Sequence, residues 1–379
     1  MSRSPFIATS ALALAVAMPV QAGSGYSVET LTEDLDRPWG MAFLPDHKDM
    51  IITLRGGDLV LWNSEDGITP IAGAPDVIDA GQGGLLDIAA APDFTESGWL
   101  YMTWVGATDG GSTTMLGRAR LDRDADTLVD FQLLHAVEPG IDSGAHFGSR
   151  IVFNDGHVFA GFGDRGSKDF SESHISQDLR SENGAVIRLT MDGEIPEDNP
   201  FVGHDGAAGA IWSYGHRNIQ AMTVHPETNE IWLAEHGESG GDEVNIVERG
   251  GNFGWPLASF GLTYGSEQKF AAEPREGDGF VTPIHAWPAG REDHNPPSGM
   301  AFYTGDAFPD WQGQVLIGNL FHRYLGLWAE EDGGLSETAR LMDGQNWRIR
   351  DVAIGPEDGF IYVITDGDDG RLVRLMPDD

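Results

Sequence analysis

The chain has 379 residues, a formal net charge of −37 and no cysteine. So strong a negative charge repels phosphate backbones and anionic surfaces, which argues against a nucleic-acid or anionic-membrane partner. The absence of cysteine excludes disulfides, thiolate nucleophiles, cysteine-ligated metal sites and a lipid-anchoring cysteine.

The first 22 residues have the three parts of a secretory signal peptide. Arg3 supplies a positive charge, residues 8–20 form an apolar segment, and Val20-Gln21-Ala22 is the small-residue cleavage site. The apolar segment falls short of the roughly 20 residues that a membrane-spanning helix needs. We therefore predict a signal peptide at 1–22, a mature chain from Gly23, export to the periplasm and no membrane insertion.

The remaining chain, 23–379, contains a strand motif that recurs six times, with little helical periodicity. Each copy has an apolar strand and a turn, and several copies continue into an alternating second strand such as residues 359–365. The copies begin at Met41, Asp87, Ile151, Met222, Met300 and Val352. This recurrence predicts one all-β domain, a six-bladed β-propeller, in which each blade buries its faces against its neighbours. Two tandem β-sandwiches are the alternative, but they do not explain the recurrence.

A polar or glycine-rich segment precedes each copy of the motif. The segments span 36–40, 81–84, 146–150, 216–220, 295–298 and 348–351. Because equivalent positions in a propeller lie at the same end of the channel, these segments should converge on one mouth. The candidate pocket residues are Gln82, His146, Arg217, Arg348 and Arg350.

The arginines in this set favour an anionic ligand. Arg348 and Arg350 are two apart on a strand, so they point to the same side and can bind neighbouring carboxylates. For each arginine taken singly, a surface salt bridge is the alternative.

His146 is the candidate general base. The same repeat unit continues into residues 161–166, where Asp164 can hydrogen-bond one ring nitrogen of His146 and leave the other nitrogen as a base. The alternatives are a structural histidine and an ordinary turn carboxylate.

Residues 235–245, EHGESGGDEVN, combine several carboxylates with glycines. Calcium takes several oxygen ligands, and glycines allow main-chain carbonyls to turn toward a cation. The segment therefore predicts a hard-cation site, with a solvated acidic loop as the alternative.

Taken together, these segments resemble the soluble family of glucose and aldose sugar dehydrogenases that depend on pyrroloquinoline quinone (PQQ). The matching motifs, in family order, are GQGGLLDI (81–88), HFGSRIVF (146–153), SYGHRNIQ (213–220), EHGESGGDEVN (235–245), GGNFGWP (250–256) and RIRDV (348–352). The resemblance covers nearly the whole mature chain. It implies oxidation of the C1 hydroxyl of aldose sugars to lactones, with PQQ and calcium as cofactors and an external electron acceptor.

The resemblance also implies a role for each candidate residue. His146 is the base on the C1 hydroxyl, Asp164 orients it, and Arg217 polarises the quinone oxygen. Gln82 and Asn218 hydrogen-bond the cofactor or the substrate.

The resemblance also implies which residues bind the cofactor carboxylates and calcium. Arg348 and Arg350 hold the cofactor carboxylates. The implied calcium ligands are the carbonyls of Gly237 and Glu238 for one ion, and Glu243 with the Phe253 carbonyl for a second.

The sequence departs from the glucose dehydrogenase branch in two places. Glu238 replaces a proline, and this change should matter little for calcium binding if only the main-chain oxygen is a ligand. Residues 319–323 lack a lysine that binds the cofactor in that branch, and Arg323 is the candidate to replace its charge.

Two other function classes stay open at this point. A calcium-dependent propeller lactonase would use Asp242 and Glu243 but would leave the arginine pair unexplained. A non-catalytic carbohydrate-binding propeller would need neither His146 nor a cofactor. Sugar specificity is expected to depend on inserted loops such as residues 264–288.

Overall fold

The computed structural model describes residues 25–45, 49–275, 277–290 and 294–378, and these residues form mainly β-strands. In chain order the first strands are β1 (Tyr26–Leu35), β2 (Pro38–Phe43), β3 (Met50–Leu54), β4 (Leu59–Asn63), β5 (Gly67–Ile71), β6 (Leu85–Ala90), β7 (Trp99–Thr108), β8 (Gly111–Asp122), β9 (Thr127–Ala136), β10 (Arg150–Asn154), β11 (His157–Gly161) and β12 (Ala185–Thr190). The later strands are β13 (Ile211–Tyr214), β14 (Ile219–Val224), β15 (Ile231–Glu235), β16 (Glu243–Ile246), β17 (His285–Ala286), β18 (Pro297–Phe302), β19 (Val315–Asn319), β20 (Leu325–Glu331), β21 (Gly334–Leu341), β22 (Ile349–Ile354), β23 (Ile361–Thr365) and β24 (Gly370–Pro377).

Helical structure in the described residues is short. It comprises one helical turn, α1 (Phe94–Ser97), and 3-10 turns at Ile175–Gln177 and Pro309–Trp311. None of the helices described is long and apolar enough to cross a membrane. The predicted signal peptide lies outside the described residues.

Within the described ranges the strands form six four-stranded antiparallel sheets. Five consist of consecutive strands, β2–β5, β6–β9, β10–β13, β14–β17 and β18–β21, and are named blades 1 to 5 here. Blade 6 contains β22, β23, β24 and the N-terminal strand β1, which pairs with β24 from Tyr26 opposite Pro377 to Leu35 opposite Gly370. The first and last parts of the chain therefore close one ring. The predicted six-bladed propeller is confirmed, and the tandem-sandwich alternative does not fit.

The hydrophobic core lies between the blades. Ile51 of blade 1 and Leu100 of blade 2 belong to one buried cluster, and Leu325 of blade 5 and Val363 of blade 6 belong to another. Burying such a side chain contributes about 1.5 to 3 kcal/mol. The innermost strands, β2, β6, β10, β14, β18 and β22, contact one another around the channel. All six copies of the sequence motif lie on these innermost strands.

The register of each inner hairpin decides which residues reach the mouth of the channel. The start of the innermost strand pairs with the end of the second strand, as in Pro38 opposite Leu54 and Ile219 opposite Glu235. The residue after the second strand therefore lies beside the segment before the first strand. Five blades follow this register and contribute two segments each to the mouth, although the sequence motif indicated only one. Blade 2 differs, because β7 continues beyond Trp104, the partner of Leu85.

A buried ion cluster lies in the channel between the innermost strands. Arg150 Nη1 is 3.1 Å from Asp87 Oδ1 and 3.0 Å from Asp351 Oδ1. Asp87 Oδ2 also accepts from the backbone N–H of Ile151 at 2.8 Å, and Asp351 Oδ2 from that of Met41 at 3.1 Å. The cluster thus connects blades 1, 2, 3 and 6.

We expect Arg150→Met to destabilise the fold strongly, because two buried carboxylates would lose their counter-ion. Breaking such a pair typically costs about 3 to 5 kcal/mol in the free energy of unfolding. Guanidinium denaturation measures this cost. Arg180→Met is the matched control, since Arg180 is exposed and pairs with Asp178 at the surface, and it should leave the midpoint unchanged. Equal midpoints for the two variants would contradict the assignment.

Candidate active site

A cavity of about 210 Å³ lies at the mouth of the channel where the polar segments converge. Its lining residues are Trp39, Arg55, Gln82, Phe147, Gly148, Asn218, Gln220, His236, Leu320, Arg348, Arg350 and Asp366. The structure therefore brings together four of the residues singled out from the sequence, Gln82, Asn218, Arg348 and Arg350.

Asp366 joins the two predicted cofactor arginines. Its Oδ2 accepts from Arg348 Nε at 2.8 Å, and its Oδ1 accepts from Arg350 Nη2 at 3.0 Å. Burial acts to raise the pKa of Asp366, but Arg350 and Arg348 outweigh it and lower the pKa to about 2. Arg350 Nε is buried with no hydrogen-bond partner among the described residues. Asp366 thus binds two guanidinium groups, and these groups still have N–H donors available for a ligand.

Arg55 is a third arginine in this cavity, and the sequence analysis missed it. It donates to the Gly81 carbonyl at 2.6 Å and to the Gly83 carbonyl at 3.2 Å. Burial and the charge of Arg350 lower the pKa of Arg55. Arg323 instead donates to Asn346 Oδ1 at 2.7 Å. Arg55, and not Arg323, therefore supplies the third positive charge that lines this cavity.

His146 lies beside the cavity and is paired with Asp164. Its Nδ1 is 2.6 Å from Asp164 Oδ1, which also accepts from the backbone N–H of Gly166 at 2.8 Å. The backbone N–H of His146 donates to Gln82 Oε1 at 2.7 Å. With Nδ1 donating to a carboxylate, Nε2 is the nitrogen that can act as a base. The contact that the sequence suggested between His146 and Asp164 is present.

The backbone around His146 depends on glycine. His146 has a φ of 48°, a left-handed conformation that non-glycine residues seldom adopt. A Cβ atom on Gly163 would lie 2.3 Å from the His146 carbonyl oxygen, so only glycine fits opposite it. The glycines of residues 161–166 therefore allow the end of β11 to approach the His146 backbone.

Burial and hydrogen bonding shift the pKa values of both His146 and Asp164. Burial lowers the pKa of His146, the hydrogen bond to Asp164 opposes that change, and the nearby Arg217 charge lowers it further. Burial acts to raise the pKa of Asp164, but His146 and His174 outweigh it and hold that pKa well below its ordinary value. The pair at neutral pH is thus a neutral imidazole bonded to an ionised carboxylate.

Arg217 lines a smaller cavity next to the first, and His236 lines both. Arg217 Nη1 donates to the His236 carbonyl at 3.0 Å, and Nη2 donates to Glu238 Oε2 at 2.7 Å. Lys168 Nζ is 2.7 Å and 2.8 Å from the two carboxylate oxygens of Glu238. The Glu238 carbonyl accepts from the backbone N–H of Leu262 at 2.8 Å.

The side chain of Glu238 therefore belongs to the candidate site, whereas the sequence analysis considered only its main-chain oxygen as a calcium ligand. Its carboxylate is 3% exposed and bridges Arg217 and Lys168. Lys168 lies 70 residues away in the chain. Only the folded structure brings these three residues together, so no pattern in the sequence could have indicated the contact.

Three of the predicted calcium ligands line the smaller cavity, namely Gly237, Glu243 and Phe253. Glu235 lines it as well, and Asn245 Nδ2 donates to both Glu235 and Glu243, at 3.3 and 3.2 Å. Burial and the neighbouring Glu235 raise the pKa of Glu243 well above its ordinary value. The described residues contain no cluster of three or more His, Asp or Glu side chains suited to a metal. A calcium ion here would need main-chain oxygens besides Glu243.

We expect Asp164→Asn to lower the pKa of His146 further, because a neutral amide stabilises the imidazolium less than a carboxylate does. Histidine-selective NMR titration measures this, with the His146 signal assigned by its loss in His146→Gln. Asp169→Asn is the control, since Asp169 is exposed in the same loop and bonds to Ser171. An unchanged or raised pKa of His146 in Asp164→Asn would contradict the pairing.

Comparison with known proteins gives consistent matches. The family model for glucose/sorbosone dehydrogenase matches residues 35–374. The chain is 40% identical over 355 residues to aldose sugar dehydrogenase YliI from Escherichia coli strain K12, with 93% of each chain covered. The apo-form crystal structure of soluble aldose sugar dehydrogenase from E. coli matches with a TM-score of 0.87 at 40% identity, covering 93% of this chain and 100% of that one. The PQQ-bound aldose sugar dehydrogenase from Streptomyces coelicolor matches with a TM-score of 0.72 at 26% identity, covering 93% and 98%.

Proposed function

Because the chain belongs to the glucose/sorbosone dehydrogenase family, we propose that it oxidises the C1 hydroxyl of aldose sugars to lactones with PQQ and calcium. The observation that carries this proposal is the position of the His146–Asp164 pair. His146 is hydrogen-bonded to Asp164, and its backbone N–H donates to Gln82. Gln82 in turn lines the cavity that contains three arginines. A base beside an anion-binding cavity suits oxidation of a neutral alcohol by an anionic cofactor.

The residues of the larger cavity suit PQQ, which carries carboxylates. Arg55, Arg348 and Arg350 face a single carboxylate, Asp366, so the cavity retains excess positive charge. The unpaired Nε of Arg350 is a donor with no partner among the described residues. These guanidinium groups would hold cofactor carboxylates through charge-assisted hydrogen bonds. The amides of Gln82 and Asn218 would supply further hydrogen bonds.

His146 would take the proton of the C1 hydroxyl. Its Nδ1 is bonded to Asp164, so Nε2 is the accepting atom, and its lowered pKa keeps it neutral near pH 7. When bound, PQQ supplies a two-electron acceptor for the hydride from C1. Arg217 is the donor available to a quinone oxygen, since its Nε is buried without a partner in the described part of the chain.

Calcium and export complete the proposal. Gly237, Glu243 and the carbonyl of Phe253 would bind calcium, and a cation there would relieve the repulsion between Glu243 and Glu235. The signal-peptide pattern of residues 1–22 supports periplasmic export with cleavage after Ala22. An external electron acceptor would then reoxidise the cofactor.

We expect the protein to bind PQQ when calcium is present. Arg348→Ala should weaken that binding by about 2 kcal/mol, or roughly 30-fold in Kd. Calorimetric titration in calcium measures both. Arg323→Ala is the matched control and should bind PQQ as the wild type does, because Arg323 donates to Asn346 instead. Equal affinities for all three proteins would argue against the arginine assignment.

We expect the PQQ-loaded protein to reduce a dye with aldoses, and His146→Ala to lower kcat about 10²- to 10⁴-fold, the usual contribution of a general base. Turnover per bound PQQ is measured with a panel of aldoses. His204→Ala, at an exposed position, should keep wild-type turnover. A kcat of His146→Ala within about threefold of wild type would exclude His146 as the base, against the roughly 10²-fold minimum. Lactone hydrolysis or sugar binding without dye reduction would favour the other two function classes.

A further inference from the structure

The indole of Trp255 contacts the same carboxylate as His146. Trp255 Nε1 donates to Asp164 Oδ2 at 2.7 Å, while Oδ1 is bonded to His146 and to the backbone N–H of Gly166. Asp164 has no exposed surface. Both oxygens of the carboxylate are therefore held, and its plane is fixed relative to the imidazole.

The face of the same indole lies against Arg217. The guanidinium carbon of Arg217 is 5.1 Å from the ring centroid, within the range of a cation–π contact. Arg217 Nη1 and Nη2 are bonded to His236 and Glu238, but Nε has no partner in the described residues. The aromatic face thus gives Arg217 a contact in addition to its two hydrogen bonds.

The surroundings of Trp255 hold its ring in place. Its backbone N–H donates to the Gly215 carbonyl at 2.9 Å, and its carbonyl accepts from Ser176 Oγ at 2.8 Å and Gln177 Nε2 at 2.7 Å. Phe170 and Phe270 pack edge-on against the indole, with centroids 5.9 and 5.4 Å away. Side chains locked by packing are those that can position others accurately.

We propose that Trp255 is a positioning residue that orients Asp164 through its N–H and Arg217 through its ring face. A purely structural tryptophan would need only its apolar surface. Trp232 is such a case, because its Nε1 is buried without a partner among the described residues. The catalytic consequence rests on the proposed function, whereas the effect on the His146–Asp164 pair does not.

Trp255→Phe tests the N–H, because phenylalanine keeps an aromatic ring but cannot donate. Loss of an outer-shell hydrogen bond of this kind typically costs about 10- to 100-fold in activity. We therefore expect kcat to fall by that factor with KM little changed. Asp164 would lose one donor and become a stronger partner for the imidazolium, so the pKa of His146 should rise, opposite to the change in Asp164→Asn. Trp232→Phe is the matched control and should alter neither kcat nor the His146 titration.

Trp255→Leu tests the ring face, since it removes both the N–H and the aromatic surface. Its kcat should fall further than that of Trp255→Phe, because Arg217 would lose its cation–π support. Trp255→Phe behaving like Trp232→Phe would overturn the role of the N–H, and equal kcat for Trp255→Phe and Trp255→Leu would overturn the role of the ring. If the wild type does not oxidise sugars, the proposed function fails, while the His146 titration still tests the orientation of Asp164.

Discussion

The charge cluster of Arg150, Asp87 and Asp351 is the constraint on which the inner part of the propeller depends. All three side chains are less than 10% exposed. Burying a charge is costly unless it is paired and fully hydrogen-bonded. Here the two carboxylates also accept backbone N–H groups of the neighbouring blades. The cost of burial is therefore offset only when the innermost strands lie in one relative position, so the cluster favours that arrangement of the blades.

The same arginine connects the channel to the candidate active site. Arg150 Nη2 donates to the carbonyl of Arg350 at 3.2 Å, and Nε donates to that of Gln220 at 2.8 Å. Arg350 and Gln220 both line the cationic cavity at the mouth. On the other side, the cluster forms part of the wall of a second cavity of about 350 Å³. The ions thus separate the two ends of the channel, and they fix the strands that carry the side chains proposed to bind the cofactor.

The sequence was sufficient to predict the fold and four of the twelve residues that line the larger cavity, for identifiable reasons. The motif copies lie on innermost strands, so the residues before them, such as Gln82 and Arg348, were found by their common register. Arg55 and Asp366 follow the second strands β3 and β23, and antiparallel pairing brings them to the same mouth. Both residues could have been predicted by also considering the residue that follows the second strand of each hairpin. The contact between Lys168 and Glu238 could not be found in this way, because it joins irregular loops of two different blades.

The charge balance of the larger cavity is compatible with the proposed binding of an anionic cofactor by a strongly acidic chain. Arg55, Arg348 and Arg350 line this cavity with one ionised carboxylate, Asp366, which is hydrogen-bonded to Arg348 and Arg350. The lowered pKa of Arg55 reflects burial and repulsion by Arg350. An anionic ligand would relieve that repulsion without displacing Asp366, since Asp366 occupies only some of the guanidinium donors. The acidic groups outside this mouth are screened by solvent beyond about 10 Å at moderate ionic strength. The proposed affinity for an anion would therefore depend on the three local arginines more than on the net charge of −37.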